Sequence, residues 1–395
     1  MKRRSLITGL SGVLAASTLS RPGLADLLDD DRLDAFDRRV DQEFEAFDRQ
    51  MDARFAAMDR AIKTAFAEMD RRLRRRWGEA VQLPSEKTWV GYDGNRDERI
   101  IVDYERGRIV VQVQGVTDPA ELHRRLDRVL QADSETLDQR DVVGQYIQEQ
   151  ASLAGGSAVS DGGRQGQDGG GSHGPELGPL VDRDARPEVS SKPIENNAQG
   201  AKVAGTIEVP MLPDHTRLSA QRVAPVARRF ARNGRIPLSL VLSIIKNESA
   251  FNPRAKSRIP AFGLMQLVPS SGGRDAFRHV HGEDKAPSPA YLYQPTQNIE
   301  LGCGYLNLLT SRYLADVRDP KSREFCVIAA YNTGAGNVAK TFAGTMSVPQ
   351  AARQINRLPP TRVYDRLQAN LPYDETKAYL RKVVRDREAY REFDA

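Results

Sequence analysis

An apolar repeat between Leu33 and Trp77 constrains the fold of this chain more than any other sequence feature. Apolar residues recur in steps of three, four and four, a period of eleven, and an Asp-Arg pair recurs with them. Eleven residues in three turns is close to the α-helical period, with a drift that favours a right-handed, nearly straight coil. The pattern predicts a helix of roughly 65 Å with one apolar seam. The seam must be buried against a second copy of the chain, a protein partner, or this protein's own surface.

The first 25 residues have the features of an export signal. A basic start is followed by a mildly apolar run from Leu6 to Leu19 and by small residues up to Ala25. Arg3-Arg4 also resembles the core of a twin-arginine signal, and an ordinary Sec signal is the alternative. The segment contains no cysteine on which a lipoprotein anchor could form. We therefore expect an exported, periplasmic protein without a lipid anchor.

Charge is divided unevenly along the chain. From Thr206 to Ala395 there are 28 Lys and Arg against 17 Asp and Glu, a net of +11, whereas the remainder carries a net of −6. A basic half favours an anionic partner through long-range attraction. An anionic cell-wall polymer fits an exported protein better than nucleic acid, for which no recognition motif is present. No run of eighteen apolar residues follows the N-terminal segment, so no transmembrane anchor is expected.

The chain contains only two cysteines, Cys303 and Cys326, each within an apolar helical pattern. Export would permit a disulfide between them. Two small buried apolar side chains are the alternative. Spacing alone leaves the choice open because a disulfide between helices requires matched geometry.

The pattern of composition predicts a mainly α protein with four parts after the signal. Short alternating runs separated by turn residues indicate strands at Lys87–Tyr92, Arg99–Tyr104 and Arg108–Val116, and Asp118 caps a helix that begins at Pro119. Glycine clusters and few large apolar residues indicate a linker, and six to eight helices are expected after it. The predicted parts are the long helix at 26–77, a small α+β module at 78–150, a Gly-rich flexible linker at 151–205 and a mostly helical domain at 206–395.

Glu248 lies near the end of a predicted helix, Leu238–Ser249, whose other residues are largely apolar. The negative end of a helix dipole and a lack of water both raise the pKa of a carboxyl group, which keeps it protonated. A carboxyl group of this kind can act as a general acid. A surface Glu that closes a helix is the alternative.

Four ordered motifs support the catalytic interpretation: Glu248–Pro253, Gly263–Gln266, Ala330–Gly334 and Glu375–Tyr379. Together they resemble the lytic transglycosylases that carry a soluble-lytic-transglycosylase domain, with the membrane-bound type C members as the nearest branch. The resemblance covers about Ile207 to Tyr390 and implies a lysozyme-like α fold for the catalytic domain.

The resemblance also implies a reaction. The MurNAc-β-1,4-GlcNAc bond of peptidoglycan glycan strands would be cleaved without water, leaving a 1,6-anhydro-MurNAc end. Glu248 would protonate the leaving oxygen and then, as a carboxylate, accept the proton of the C6 hydroxyl that attacks C1. The acetamido oxygen of the substrate can stabilise the cationic intermediate, which removes the need for a second carboxylate.

By the same resemblance, six further residues would bind substrate or support the acid: Ser249, Met265, Gln266, Tyr331, Asn332 and Tyr379. Tyr331 would hydrogen-bond near Glu248 or the sugar, and Gln266 would hold an N-acetyl or hydroxyl group. Met265 would pack on a sugar face, and Tyr379 would close one wall. Plain core packing is the alternative for both of these. Ser249 and Asn332 would support the residues around the acid.

Two competing functions remain at this stage. A hydrolytic lysozyme-type muramidase on the same scaffold would position a water, with Asp275 or Glu300 as a second carboxylate. A cell-wall-binding scaffold without activity is the other, although the intact Glu248 argues against it. No metal or other cofactor is expected, since the only histidine cluster, His279-Val280-His281, lies near Gly282 in a predicted loop.

Overall fold

The computed structural model describes residues 53, 56–154, 174–182, 184–194, 202–257 and 260–395. All of them except residue 53 belong to one unit, Arg54–Ala395. The predicted signal at 1–25 and most of the repeat before residue 56 lie outside the described residues. The same is true of residues 155–173 in the predicted linker.

The described end of the eleven-residue repeat forms a helix, α1, at residues 56–77. Its predicted seam is at most 6% exposed and consists of Met58, Ile62, Phe66, Met69, Leu73 and Trp77. Trp77 meets the ring of Tyr92 edge-on at 6.2 Å, and Asp59 accepts a 2.7 Å hydrogen bond from Ser270. This part of the seam therefore packs on the protein's own surface. Self-association through Leu33–Trp77 stays a prediction for the remainder.

A five-stranded antiparallel sheet forms the centre of the N-terminal module, in the order β1-β2-β3-β5-β4. Its strands are β1 (Thr88–Tyr92), β2 (Glu98–Asp103), β3 (Arg108–Gln114), β4 (Glu188–Ile194) and β5 (Lys202–Pro210). The first three lie where alternation predicted them. Branched residues on one face, such as Ile100, Val102 and Val111, are fully buried, as expected for a sheet with one face on a core.

Three helices complete this module: α2 (Pro119–Gln131), α3 (Ser134–Asp138) and α4 (Val142–Leu153). Asp118 caps α2 by accepting from the backbone N–H groups of Ala120 and Glu121 at 3.2 and 3.3 Å, as its sequence predicts. Buried leucines of α2 pack in the same core as the sheet. The predicted α+β module is therefore present.

The flexible linker predicted at 151–205 is wrong for residues 174–182 and 184–194. Strand β4 pairs with β5 across seven residue pairs, and Leu177 and Leu180 are buried in the core of the sheet. The segment has few large apolar residues, so no strand was predicted there. It is ordered because it pairs with a strand that is formed elsewhere in the chain. Since β5 also pairs with β3, the C-terminal helical domain begins after this strand rather than at residue 206.

The C-terminal domain is mainly helical in its described residues. Its helices are α5 (His215–Gly234), α6 (Leu238–Ser249), α7 (Arg274–His281), α8 (Pro289–Leu292), α9 (Pro295–Leu308), α10 (Pro320–Thr333), α11 (Ala335–Ala343), α12 (Val348–Ile355), α13 (Pro360–Asn370) and α14 (Asp374–Glu388). These ten exceed the six to eight expected, because short helices such as α8 have too few residues to show a period. Helix α6 is the central element, packed against α5 and α14 and buried from Leu238 to Ile245.

Cys303 and Cys326 are both buried and free, so the structure shows the alternative of two small apolar side chains. Burial raises the pKa of each thiol to about 12. Within the described ranges, none of the helices combines the length and hydropathy that a membrane span requires.

Candidate active site

A cleft of about 1390 Å³ lies between the helical domain and the N-terminal module. The helical side contributes residues of all four sequence motifs, among them Glu248, Gln266, Tyr331 and Tyr379. The opposite side is formed by residues 81–88 together with part of the β2–β3 hairpin. The fold thus brings the four motifs together in one cleft.

The end of α6 is sharply defined just after Glu248. Ala250 and Phe251 adopt left-handed backbone conformations, with φ of 50° and 67°, and the N–H of Ala250 donates to the carbonyl of Lys246 at 2.9 Å. Such conformations are costly for residues other than glycine, and they concentrate at functional sites. The turn ends the helix one residue beyond the acid and leaves Glu248 on the cleft.

Burial raises the pKa of Glu248 to about 7. The negative charges of Glu375 and Glu86 act in the same direction, whereas Tyr379 and Lys87 act to lower the pKa. The raised pKa predicted from the apolar helix is therefore present, with burial as its first cause. A carboxyl group with this pKa exchanges a proton readily near neutral pH.

Two tyrosines flank the acid, Tyr379 buried and Tyr331 partly buried. Burial and the charge of Glu248 hold the pKa of Tyr331 and of Tyr379 well above the ordinary value, so both hydroxyls stay protonated. The hydroxyl group of Tyr331 donates a hydrogen bond of 2.7 Å to the backbone carbonyl of Met265. The Tyr379 hydroxyl is close enough to Glu248 to lower its pKa, yet it makes no hydrogen bond of standard geometry. Tyr379 is thus a donor available to the acid or to a ligand.

Gln266 lines the cleft and has an unpaired acceptor atom. Its Nε2 donates to the carbonyl of Gly263 at 3.0 Å, while Oε1 is buried without a partner. A buried polar atom without a partner is costly and calls for an explanation. Because the residue lines the cleft, an N–H or O–H group of a ligand would satisfy it.

The side chain of Asn298 holds the Gly263–Gln266 loop in place from the protein interior. It is fully buried, accepts from the N–H of Met265 at 2.8 Å, and donates to the carbonyls of Phe262 and Leu292 at 2.9 and 2.8 Å. Sequence reasoning did not single it out. The available signal was an Asn on the buried face of α9, where an apolar residue is the rule.

The structure corrects two of the predicted substrate contacts. Met265 is fully buried in the core and does not line the cleft, so its predicted packing on a sugar face is wrong. Ser249 is also fully buried and donates to the carbonyl of Ile245 at 3.0 Å, so it stabilises the end of α6 without reaching a ligand. Asn332 does lie on the cleft, where it accepts from Thr376 at 2.6 Å.

The N-terminal wall of the cleft was not predicted from the sequence. Glu86 and Lys87 influence the pKa of Glu248 across the cleft, and the amide of Asn252 donates to the carbonyl of Glu86 at 3.2 Å. These partners are 166 positions apart in the chain. Neither periodicity nor a short motif can predict a contact between residues that are so far apart in the sequence.

The described residues contain no group of three or more His, Cys, Asp or Glu side chains placed to hold a metal ion. In the predicted His279–His281 cluster, His279 Nε2 lies 2.8 Å from Asn307 Oδ1, so this ring is engaged with a neighbouring helix.

We predict that Glu248 makes the stability of the fold depend on pH. Its folded-state pKa of about 7 lies above the ordinary 4.5, so its contribution is fully present below about pH 4.5 and is lost as pH rises through 7. The unfolding free energy of Glu248→Gln relative to wild type should therefore increase between pH 5 and pH 8, by up to about 3 kcal/mol. Denaturant unfolding of both proteins at the two pH values measures this, and a constant difference would contradict it.

Comparison with known proteins shows the family of this chain. Residues 226–353 match the model of the Transglycosylase SLT domain. A protein of Haemophilus influenzae, named membrane-bound lytic murein transglycosylase C, is 32% identical over 325 residues, which cover 80% of this chain and 85% of that protein. This chain belongs to the lytic murein transglycosylase family. The matched residues 226–353 include the first three of the four sequence motifs.

Other matches cover a smaller share of this chain. Proteins of the same name from Histophilus somni and Pectobacterium atrosepticum are 42% identical over 183 residues and 38% over 200. These alignments cover 46% and 51% of this chain but only about half of each relative, 50% and 55%. The 70 kDa soluble lytic transglycosylase of Escherichia coli aligns with a TM-score of 0.33 and 25% identity over 43% of this chain and 24% of that one.

Proposed function

We propose that this protein is a peptidoglycan lytic transglycosylase that cleaves the MurNAc-β-1,4-GlcNAc bond without water. The observation that carries the proposal is Glu248, a carboxyl group on the cleft with its pKa raised to about 7. Membership of the lytic murein transglycosylase family supports the substrate.

Bond cleavage begins with Glu248 in its protonated form. The acid donates its proton to the glycosidic oxygen as the C1–O bond breaks, and the GlcNAc leaves with a 4-hydroxyl group. The acetamido oxygen of MurNAc bonds to C1, so the positive charge is held on the substrate and no second carboxylate is needed. Glu248 is then a carboxylate, the form that its half-buried position disfavours.

The second step restores the acid. The Glu248 carboxylate takes the proton of the C6 hydroxyl as O6 attacks C1 and the bond from the acetamido oxygen breaks. The product is a 1,6-anhydro-MurNAc end, and Glu248 is protonated again. A pKa near 7 suits a residue that must both give and take a proton near neutral pH.

Neighbouring groups would orient the substrate around this acid. Gln266 Oε1 would accept from the acetamido N–H or a hydroxyl group, which satisfies an otherwise unpaired atom. Tyr379 would donate to the carboxylate form of Glu248 or to the sugar while it closes one wall. Tyr331 holds the carbonyl of Met265 and so keeps the Gln266 loop in place.

Hydrolysis is the second candidate, and one observation favours it. Glu375 and Glu86 line the cleft and raise the pKa of Glu248, so either could hold a water for attack. Glu375 and Glu86 are better placed for this role than Asp275 and Glu300, the two carboxylates considered from the sequence. Glu300 does not line the cleft, and Asp275 is engaged by Arg278 and Tyr313 at 3.3 Å each.

Mass spectrometry of the soluble products from purified peptidoglycan distinguishes the candidates. The proposal expects products one water lighter than reducing muropeptides, formed equally by wild type and by Glu375→Gln and Glu86→Gln. Reducing products that disappear in either carboxylate variant would instead establish a hydrolase. The absence of any release by the wild type would favour the wall-binding scaffold.

Replacing Gln266 with Met is expected to raise KM for glycan strands about tenfold, because it removes one hydrogen-bond acceptor of about 1–1.5 kcal/mol. Gln297→Met is the matched control, since Gln297 Oε1 is also buried without a partner but does not line the cleft. Initial rates over a range of substrate concentrations measure both. Equal KM values for the two variants would show that Gln266 does not bind the substrate.

The place of action would be the periplasm, reached through the signal predicted at residues 1–25. The names of the relatives state a membrane-bound form. In this chain we expect processing after Ala25, so the mature protein would begin at Asp26. Its N-terminal sequence after expression in a Gram-negative host tests this, and retention of residues 1–25 would contradict it.

A further inference from the structure

A buried cluster of charges joins the N-terminal module to the loop that follows Glu248. Asp141, at the start of α4, is fully buried, as is Lys256, and Arg254 is 4% exposed. Lys256 Nζ lies 2.6 Å from both carboxylate oxygens of Asp141. Arg254 Nε donates to the same carboxylate at 3.2 Å, and Arg254 also pairs with Asp138 at 2.9 Å.

The cluster is charged in the folded protein. Burial acts to raise the pKa of Asp141, but Lys256 and Arg254 hold it below the ordinary value. Burial lowers the pKa of Lys256 to about 8, with Asp141 acting against this, so the amine is charged at neutral pH. Gly144 leaves the space for the pair, since an added Cβ there would lie 2.3 Å from Asp141 and 2.6 Å from Lys256 Nζ.

The position of this cluster links it to the cleft. Arg254 and Lys256 belong to residues 250–257, which leave α6 directly after the acid. The same loop is tied to the opposite wall by Asn252, which donates to Glu86, and by the N–H of Lys256, which donates to the carbonyl of Ser85 at 3.4 Å. Ser85 and Glu86 line the cleft. The cluster therefore anchors a loop that has the acid at one end and contacts the far wall.

A buried ion pair is a poor source of stability, because desolvation of both charges offsets most of their attraction. Its geometry is nevertheless specific, and removal of one partner leaves the other buried and unpaired. An anchoring role explains why two cations and two carboxylates are placed where an apolar contact would serve stability as well.

We propose that Asp141 and Lys256 are positioning residues for glycan cleavage: their ion pair fixes the loop after Glu248 and, through it, the cleft wall at Ser85–Lys87. This inference rests on the proposed function. It assigns a catalytic purpose to the N-terminal module, which holds the acid's surroundings in place without contributing a reacting group.

Two variants separate positioning from stability. Asp141→Asn keeps an oxygen for the N–H of Gly144 but leaves Lys256 buried and unpaired, so it should lower both stability and activity. Adding Lys256→Met removes the unpaired charge and should restore stability. If the ion pair positions the loop, the double variant should still have kcat reduced about tenfold, with KM within about threefold of wild type.

The pH profile gives a readout that a purely structural role would not change. Glu248 is faced by Glu375, Glu86, Lys87, Tyr331 and Tyr379, and its dry surroundings depend on the far wall. A loosened wall admits water, so the alkaline limb of kcat/KM in the double variant should move down by about one pH unit. Hydrogen exchange should also be faster for Ala250–Ser257 and unchanged for α2.

Glu98→Gln is the matched control. Glu98 is 5% exposed and holds two cations, Arg125 and Arg140, at 2.6 Å each, but all three lie within the N-terminal module. It should lose stability and keep the wild-type kcat and alkaline limb. A stable double variant with wild-type kcat, pH profile and exchange would overturn the inference. Failure of the proposed function is distinct, because wild type would then release no anhydro product while exchange still reports the anchoring.

Discussion

Glu248→Gln is expected to reduce the rate of glycan cleavage by about 10³-fold or more, because it removes the one group that gives a proton in the first step and takes one in the second. The amide is isosteric and uncharged, so it resembles the protonated acid that the half-buried site favours. The fold should therefore be retained, and at pH 8 the variant should be more stable than wild type. Release of soluble glycan over time measures the effect.

Glu375→Gln is the control for this experiment. Glu375 also lines the cleft and raises the pKa of Glu248, but it is exposed and has no proton to transfer in the proposed reaction. Its replacement should change the rate less than tenfold. Equal losses in the two variants would mean that both carboxylates take part in the chemistry, as in a hydrolase.

Gly263→Ala is expected to destabilise the protein by about 3 kcal/mol or more. Gly263 has a φ of +76°, and an added Cβ would lie 2.1 Å from the carbonyl oxygen of Leu292 and 2.3 Å from Asn298 Nδ2. The methyl group would force Asn298 away from the loop that carries Gln266. Activity should fall with stability, because the unpaired acceptor of Gln266 would no longer be held at the cleft.

Gly282→Ala is the control that distinguishes backbone strain from a steric clash of the added methyl group. Gly282 has a nearly equal φ of +75°, but no atom lies within 4 Å of the position that its Cβ would take. The Gly282→Ala variant should lose only about 1 kcal/mol of unfolding free energy, which is the cost of a left-handed backbone conformation for alanine. Thermal unfolding of both variants measures the difference. Equal losses would show that backbone strain alone accounts for Gly263.

Local features of this protein could be predicted from its sequence because their causes are local. The Asp118 cap followed by Pro119 defined the start of α2, and the spacing of apolar residues defined the buried face of α1. Glu248 was singled out by the apolar helix that contains it and by the four ordered motifs, and it lies on the cleft with a raised pKa. In each case the residues that determine the structure lie within a few turns of one another.

Features that depend on distant partners could not be predicted in this way. Strand β4 is ordered by pairing with β5, and Met265 is withdrawn from the cleft by packing against the core. Asp141 and Lys256 are 115 positions apart, and neither is unusual in its own stretch of sequence. Asp141 and Lys256 come into contact because the N-terminal module packs against the loop after Glu248. Local sequence patterns do not predict such packing.

Cleavage of peptidoglycan in water enriched in oxygen-18 tests the central claim most directly. If O6 of the substrate attacks C1, no solvent oxygen enters the product, and every new end should be an anhydro end without label. Reducing ends made beforehand by a hydrolytic muramidase and held in the same water correct for slow exchange. New ends that each carry one labelled oxygen above that control would contradict the account and show that Glu248 serves a hydrolase.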